Sequence, residues 1–402
     1  MSKIKTVIKN RRNGKEIVCG GSELIVVFPY GLSSAASSVG EELEKVKLAE
    51  KLGVNIVKDN SVGRKEWFSL LEQVSKETNL PIGASATLAA GNLAMEAGKS
   101  PTDLSEELFF KGFERLAKVC DLIEVFPTIT KESLKVFSRS NRIIDTVISR
   151  AGNLIANYIQ TTGCENPFYK DFDWFVEEAK EKEITLIFGN GLRAACIKDS
   201  FDEAQMYEGK IVKEFSQKVI EKNAKAIAGI FGHIDPSKIE FIKRIREEIP
   251  IPLGGLGPLA TDIALGYDHI NAAVTLTMFR EYIDWVSIIT PAEHIGMPSL
   301  QDAADGITAF NIAKHIFGLA KGKNQEKDLQ MAIARKNTSW CVGMPEIAIN
   351  PYLPRINHFS KQRKAGGCTI CGSWCPFLNK PKGTENETPL VPAIEPGNKH
   401  DS

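Results

Sequence analysis

Lysine plus arginine and aspartate plus glutamate number 50 each, so the chain has no net formal charge. That absence removes any global attraction to nucleic acid or to an anionic membrane. No apolar run approaches the roughly 18–20 residues needed to span a bilayer, and the opening residues contain no apolar signal-peptide core. A disulfide framework is also lacking, because most of the eight cysteines are scattered. A cytoplasmic protein with reduced thiols is expected. The basic opening stretch "KIKTVIKNRR" reads as a solvated terminus.

What the chain does have is one cysteine cluster. "AGGCTICGSWCPF" (365–377) spaces Cys368, Cys371 and Cys375 as C-x2-C-x3-C. In a reduced compartment such a cluster reads as a metal site. Three thiolates with a fourth ligand hold zinc, and His358 is a candidate for that ligand. Three thiolates also hold three irons of a [4Fe–4S] cube and leave the fourth open. The loop alone leaves both open. Trp374 and Phe377 either shield such a group or pack the loop. The remaining cysteines (Cys19, Cys120, Cys164, Cys196 and Cys341) read as small core residues.

Short apolar runs alternate with amphipathic helical patterns. The runs are 23–28, 54–58, 80–84, 121–126, 145–149, 184–188, 225–230, 251–256 and 284–289. Helical periodicity marks 39–53, 172–183 and 202–223. This alternation implies a parallel sheet covered on both faces. Nine runs for eight places suit a (β/α)8 barrel with one run to spare; a doubly wound open sheet is the alternative. The expected organisation is an extension over 1–22, the α/β barrel over 23–298, a helical segment over 299–360, a cysteine loop over 361–378 and a disordered tail over 379–402.

Active-site groups of a barrel stand at the C-terminal ends of its strands. There the sequence places "GNGLR" (189–193), with Asn190, Gly191 and Arg193, and Ser149-Arg150 opening a helical stretch. An arginine beside a helix N-terminus suits a phosphate. His233 follows another strand, and "TPAEH" (290–294) carries Glu293 and His294. "GPLATDIALGYDH" (257–269) carries Asp262, Asp268 and His269. Two histidines at separate strand ends converge on one mouth, so His233 and His294 are candidate ligands for a metal. His315 falls in mid-helix and reads as structural.

"NPFYKDFDWFVEEAKEKEITLIFGNGLR" (166–193), "GPLATDIALGYDHI" (257–270) and "TPAEHIGMPSLQDAADGITAFNIAKHIFGLAKG" (290–322) resemble the phosphomethylpyrimidine synthase family. The resemblance implies a carbon–carbon lyase of the radical S-adenosylmethionine type, acting in thiamine pyrimidine biosynthesis on aminoimidazole ribonucleotide or a related anionic molecule. It implies a 4Fe-4S cluster on Cys368, Cys371 and Cys375, S-adenosylmethionine, and one divalent metal (Zn or Fe) on His233 and His294. It also implies a reductant protein and a domain-swapped homodimer in which one subunit's cysteine loop caps the other's barrel. Neither nucleic acid nor membrane is an expected partner. Other classes are a zinc-dependent barrel hydrolase with a structural cysteine site, and a non-catalytic nucleotide-binding relative.

The chain departs from the family's pattern in the substrate pocket. Pro29, Lys58, Leu88, Glu124, Asn190, Gly229 and Gly254 stand where the family has asparagine, methionine, tyrosine, histidine, aspartate, glutamate and tyrosine. Ala151 replaces a glycine, and three residues rather than four separate the last two cysteines. Ser149, Arg150 and Arg193 are kept, possible anchors for an anionic substrate together with Asn190 and Gly191. Lys58 and Glu124 are candidate substrate contacts that change the pocket's charge pattern.

Overall fold

The computed structural model describes residues 3–337, 343–353, 370–377 and 379. A hairpin of β1 (Thr6–Lys9) and β2 (Glu16–Cys19) comes first. Eight parallel strands then close a barrel: β3 (Ile25–Tyr30), β4 (Ile56–Asp59), β5 (Ile82–Ser85), β6 (Leu122–Val125), β7 (Thr185–Phe188), β8 (Lys225–His233), β9 (Leu253–Leu259) and β10 (Trp285–Ser287). Each pairs with its sequence neighbours, and β10 closes on β3. The barrel expectation holds.

The surrounding helices begin with α1 (Val39–Lys51), α2 (Trp67–Glu77), α3 (Ala86–Glu96), α4 (Glu106–Ala117) and α5 (Lys131–Arg139). After them come α6 (Arg150–Thr162), α7 (Pro167–Lys170), α8 (Phe172–Glu181), α9 (Glu203–Glu221), α10 (Ile239–Glu248), α11 (Asp268–Met278) and α12 (Leu300–Ala320). Local sequence fixes their starts: Ser38 with Glu41, and Ser299 with Asp302, form reciprocal capping boxes on α1 and α12. α12 packs on α1, α11 and β3, so it completes the ring of helices rather than following the barrel. The chain divides after Lys321, beyond the expected boundary at 298. The second unit contains α13 (Gln325–Lys336), α14 (Gly343–Ile347) and a turn at Gly372–Trp374. Among the described residues no helix is long and apolar enough to cross a membrane.

The spare run is 145–149. It forms no strand and instead ends in Ser149, whose hydroxyl accepts the Gly152 N–H and caps α6. The basic opening stretch is not a solvated terminus. Thr6, Ile8 and Asn10 alternate inward on the hairpin, and Ile8 and Cys19 join a buried cluster with Ile56, Leu122, Ile227 and Trp285. Arg11 donates to the Ala117, Cys120 and Lys182 carbonyls. The buried Asp121 carboxylate accepts the Arg11 and Ile82 N–H groups at 2.8 and 2.9 Å. The hairpin therefore plugs the N-terminal end of the barrel. Of the scattered cysteines, Cys19 and Cys120 are buried as expected, but Cys164 is exposed and Cys196 half-buried; Cys341 lies outside the described residues.

Inside the barrel, alternate strands contribute side chains to one layer. Ile56, Leu122, Ile227 and Trp285 form an apolar layer from β4, β6, β8 and β10. Gly254 leaves room for Trp285: a Cβ there would collide with the Trp285 carbonyl and stand 2.6 Å from its ring. Strand side chains repeat on one face every second residue. Two residues further along the same strands stand Lys58, Glu124, Gly229 and Ser287, so the next layer of that set is polar.

Candidate active site

A cavity of about 240 Å³ opens above this polar layer, at the C-terminal ends of the strands. It brings together Lys58, Glu124, Ser149, Arg150, Asn190 and Arg193. Pro29, Leu88 and Ala151 also line it, whereas Gly254 is covered by Trp285. Lys58 Nζ lies 2.9 Å from Glu124 Oε2, and the two side chains are only 13% and 11% exposed.

Two segments form the cationic wall. One is the start of α6, with Ser149 as cap and Arg150 as its first residue. The other is the loop 189–193. Neither of its glycines has a positive φ, and both are required by packing. A Cβ on Gly189 would collide with the Phe126 ring, and one on Gly191 would sit 2.5 Å from Ile129. The same close approach brings Gly191 against Gly152, so α6 and the loop are fitted to one another. Asn190 Nδ2 donates to the Phe231 carbonyl at 2.7 Å. Arg193 Nη1 donates to the Asn190 carbonyl at 3.1 Å. Burial lowers the Arg193 guanidinium from its ordinary value, against the pull of Glu208, Glu124 and Glu293.

Residues away from the strand ends hold this loop. Arg142 forms a fork with Asp202, with both bonds 2.7 Å long. It also donates to the Leu192 and Arg193 carbonyls at 2.6 and 3.1 Å. Glu208 accepts the Leu192 N–H at 3.0 Å and the Thr128 hydroxyl at 2.8 Å. Its carboxyl is pushed up to about 7, chiefly by burial. No strand end announces Arg142, and its partners lie 50 and 60 residues away.

The candidate metal histidines do meet. His233 ends β8, His294 follows β10, and their ring centroids are 5.9 Å apart. His233 Nδ1 donates to Asp262 at 2.7 Å, and Asp262 is itself tied to the Ile197 N–H. His294 Nδ1 stands 3.2 Å from the buried Asp268 carboxylate. Burial lowers the His233 pKa, and Asp262 opposes that shift. Carboxylates on both Nδ1 atoms leave Nε2 of each ring as the ligating nitrogen, the usual arrangement behind a metal-bound imidazole. The pair fits a divalent ion with further coordination positions open to a ligand. Among the described residues, no set of three His, Cys, Asp or Glu forms a metal cage. Glu293 faces the same mouth: it is open to the cavity yet surrounded by protein, which raises its carboxyl while His294, Arg193 and Arg150 pull it down.

In the second unit, Cys371 is exposed, Cys375 is buried, and neither is in a disulfide. The Trp374 N–H donates to the Cys371 carbonyl at 3.0 Å, and the Asn379 N–H to the Cys375 carbonyl at 3.0 Å. Two thiols flanking one tight turn fit the corner of a metal cluster. Trp374 is 88% exposed and shields neither thiol in this chain. Cys368 and His358 lie outside the described residues.

The model of the radical SAM ThiC family matches residues 3–381. A phosphomethylpyrimidine synthase of Methanocaldococcus jannaschii is 35% identical over 92% of this chain and 89% of its own. One from Caldanaerobacter subterraneus is 35% identical over 86% and 81%. Among solved structures, phospho-2-dehydro-3-deoxyheptonate aldolase of Thermotoga maritima overlaps 79% of this chain and 75% of its own at a TM-score of 0.44 and 8% identity, too slight a likeness to bear on function. A match over nearly the whole length, to a chain that folds as a closed parallel barrel with paired histidines at its mouth, places it in the radical SAM ThiC family.

Proposed function

We propose that the protein is a lyase of the radical S-adenosylmethionine type that rearranges aminoimidazole ribonucleotide, or a closely related phosphorylated small molecule, toward the thiamine pyrimidine. The observation that carries this reading is the convergence of Arg150, Arg193 and the α6 N-terminus on one cavity that also holds Glu293. Two guanidiniums beside a helix N-terminus suit a phosphate dianion through charge-assisted hydrogen bonds.

Cys371 and Cys375, with Cys368, would hold a 4Fe-4S cluster, and His233 with His294 a divalent metal, Zn or Fe. A cluster held there would supply one electron for the reductive cleavage of S-adenosylmethionine. The chain's own part is positioning and exclusion of water. Ser149, Arg150 and Arg193 fix the anionic end. Asn190 and Gly191 set the loop against α6. Phe28, Phe126 and Leu88 form apolar walls of the cavity, as a reactive carbon centre requires. Glu293, whose carboxyl burial raises, faces the cavity next to His294.

Assembly as a homodimer, with one subunit's cysteine loop over the other's barrel, belongs to the same proposal, as does an external reductant protein. Ile270, Val274 and Met278 recur at helical spacing on α11 and are exposed, an apolar stripe suited to a second copy of the chain. Sedimentation of the anaerobically purified chain tests this part: a monomer at micromolar concentration removes it.

The test of the activity is anaerobic reconstitution with iron and sulfide, followed by a reduced assay with S-adenosylmethionine and aminoimidazole ribonucleotide. The expected result is 5′-deoxyadenosine together with a phosphorylated pyrimidine. Protein that takes up no iron, or that holds only zinc and remains colourless, refutes the proposal in favour of the hydrolase class. A cluster that cleaves no S-adenosylmethionine points to a non-catalytic relative.

A further inference from the structure

A second cleft, of about 570 Å³, lies between α5, the segment 140–147 and α6. That volume falls in the range of small-molecule sites. The cleft shares no lining residue with the cavity at the strand ends. Its floor is apolar, with Leu134, Phe137, Val147 and Ala156, and the Arg142 guanidinium lies 5.0 Å over the Phe137 ring. Its walls are carboxamides. Asn153, Asn157 and Gln160 recur at helical spacing on one face of α6, and Asn141 joins them from the turn after α5. After Arg150, α6 has no charged residue. A merely solvated helix face is served by lysine and glutamate, which also favour the helix, whereas asparagine there costs stability. Asn157 Nδ2 donates to the Asn153 side chain at 2.8 Å, which aligns the two amides. Among the described residues the side chains of Asn141, Asp145 and Gln160 have no hydrogen-bond partner.

We propose that this cleft is a second binding site, for an unphosphorylated nucleoside whose base carries an exocyclic amino group. A carboxamide offers an acceptor and a pair of donors in one plane, the complement of an amino group beside a ring nitrogen. The flat apolar part of the base covers Phe137 and Val147. A ribose supplies hydroxyls, each both donor and acceptor, for the carboxamides and the Thr146 hydroxyl that the base leaves over. Charge decides against a phosphate. Arg142 is already neutralised by Asp202, 2.7 Å away. Asp145 is the other charged residue among the described lining residues, and the last turn of α5 adds the negative end of a helix dipole to the same wall. Both repel an anion, and both favour the N–H donors of an amino group.

The test is equilibrium dialysis on the full-length, cluster-reconstituted chain. It is saturated with S-adenosylmethionine, so that the cofactor's own adenosine site is filled, and reductant is left out, so that nothing turns over. The probes are adenosine, purine riboside, which lacks the amino group, and adenosine 5′-monophosphate. Adenosine should bind about tenfold more tightly than purine riboside, the value of one charge-assisted hydrogen bond. The monophosphate should bind this cleft no more tightly than adenosine. Asn157→Leu should weaken adenosine binding by about tenfold or more. Asp145→Asn, at an exposed position, should narrow the difference between adenosine and purine riboside. A cooperative thermal transition near the wild-type Tm shows that each variant is folded. Adenosine that fails to bind the saturated wild type at millimolar concentration overturns the proposal. So does binding that neither variant changes, which would place the adenosine elsewhere. Equal affinity for adenosine and purine riboside refutes the amino group's part, and a monophosphate whose tighter binding depends on Asn157 refutes the argument from charge.

Discussion

Replacing Arg142 by methionine separates the stability of the 189–193 loop from its function. The arginine side chain is almost wholly buried, bonded to Asp202 through a fork and to two loop carbonyls. Methionine keeps much of the stem's packing and removes all four bonds. The Asp202 carboxylate keeps its bond from the Gln205 N–H but loses its counter-charge. Breaking one partner of a buried ion pair costs about 3–5 kcal/mol. At about 2–4 °C per kcal/mol for a sizeable domain, Tm should fall by roughly 6–20 °C. The second effect is on the site. Arg193 is carried by the carbonyl that Arg142 holds, so its guanidinium should lose registration with the anion. One weakened charge-assisted hydrogen bond is worth about 1.4 kcal/mol, or a tenfold loss of affinity. Calorimetric titration of ribose 5-phosphate, well below the variant's Tm, reads this directly. Arg142→Lys keeps the charge without the fork and should fall between the two. If Arg142→Met loses stability as expected but binds ribose 5-phosphate like the wild type, the loop is positioned by something else and the reasoning fails.

Asp262→Asn should weaken zinc or cobalt binding at His233 and His294 by about 10- to 100-fold, because it removes the partner that fixes the imidazole; competition against a chromophoric chelator measures it, and unchanged affinity would disconnect the carboxylate from the metal. Glu208 and Asp59 both have folded-state values raised to about 7, from 4.5 and 3.8, with burial the leading cause. The folded state therefore holds these protons more tightly than the unfolded chain. The stability they contribute is complete at low pH and is lost as pH rises through about 7. Denaturant midpoints should fall between about pH 4 and 7, and Glu208→Gln should flatten that slope. Gly254→Ala should fail to fold or lose many degrees of Tm because of Trp285. Gly229→Ala, whose Cβ would meet Asn190 at an ordinary 3.4 Å, should be nearly neutral; equal effects at the two glycines would refute the layer geometry.

The barrel was legible because strands buried on both faces read as apolar runs. The one false strand, 145–149, has the same hydropathy, but Val147 packs from a loop against Gly152. The hairpin was hidden by its charges. "TVIK" and "EIVC" alternate, as a half-buried ribbon should, yet the lysines and arginines around them look like a solvated tail. Only the fold shows that Arg11 and Asp121 meet beneath the barrel. His233 and His294 could be paired from sequence because strand ends converge by topology. Asp262 and Asp268 stood in view on the adjoining loop, but nothing in their spacing says which carboxylate meets which ring. Arg142 carried no signal at all, since its role depends on a contact between distant segments.

The two layers built from β4, β6, β8 and β10 explain why so much of the site could be read while its specificity could not. Ile56 and Lys58, Leu122 and Glu124, Ile227 and Gly229, and Trp285 and Ser287 are neighbours of the same parity on the same strands. The lower member of each pair is sealed by the hairpin and contributes burial. The upper member has solvent or ligand above it. The change from apolar to charged takes one step of the strand repeat, about 6–7 Å. Over that distance the selective pressure on a residue changes from packing volume to hydrogen-bond complementarity. A buried ion pair with nothing to recognise is generally no more stable than a well-packed apolar replacement. Lys58 and Glu124 line the cavity, so their charges face what binds there rather than the sealed core.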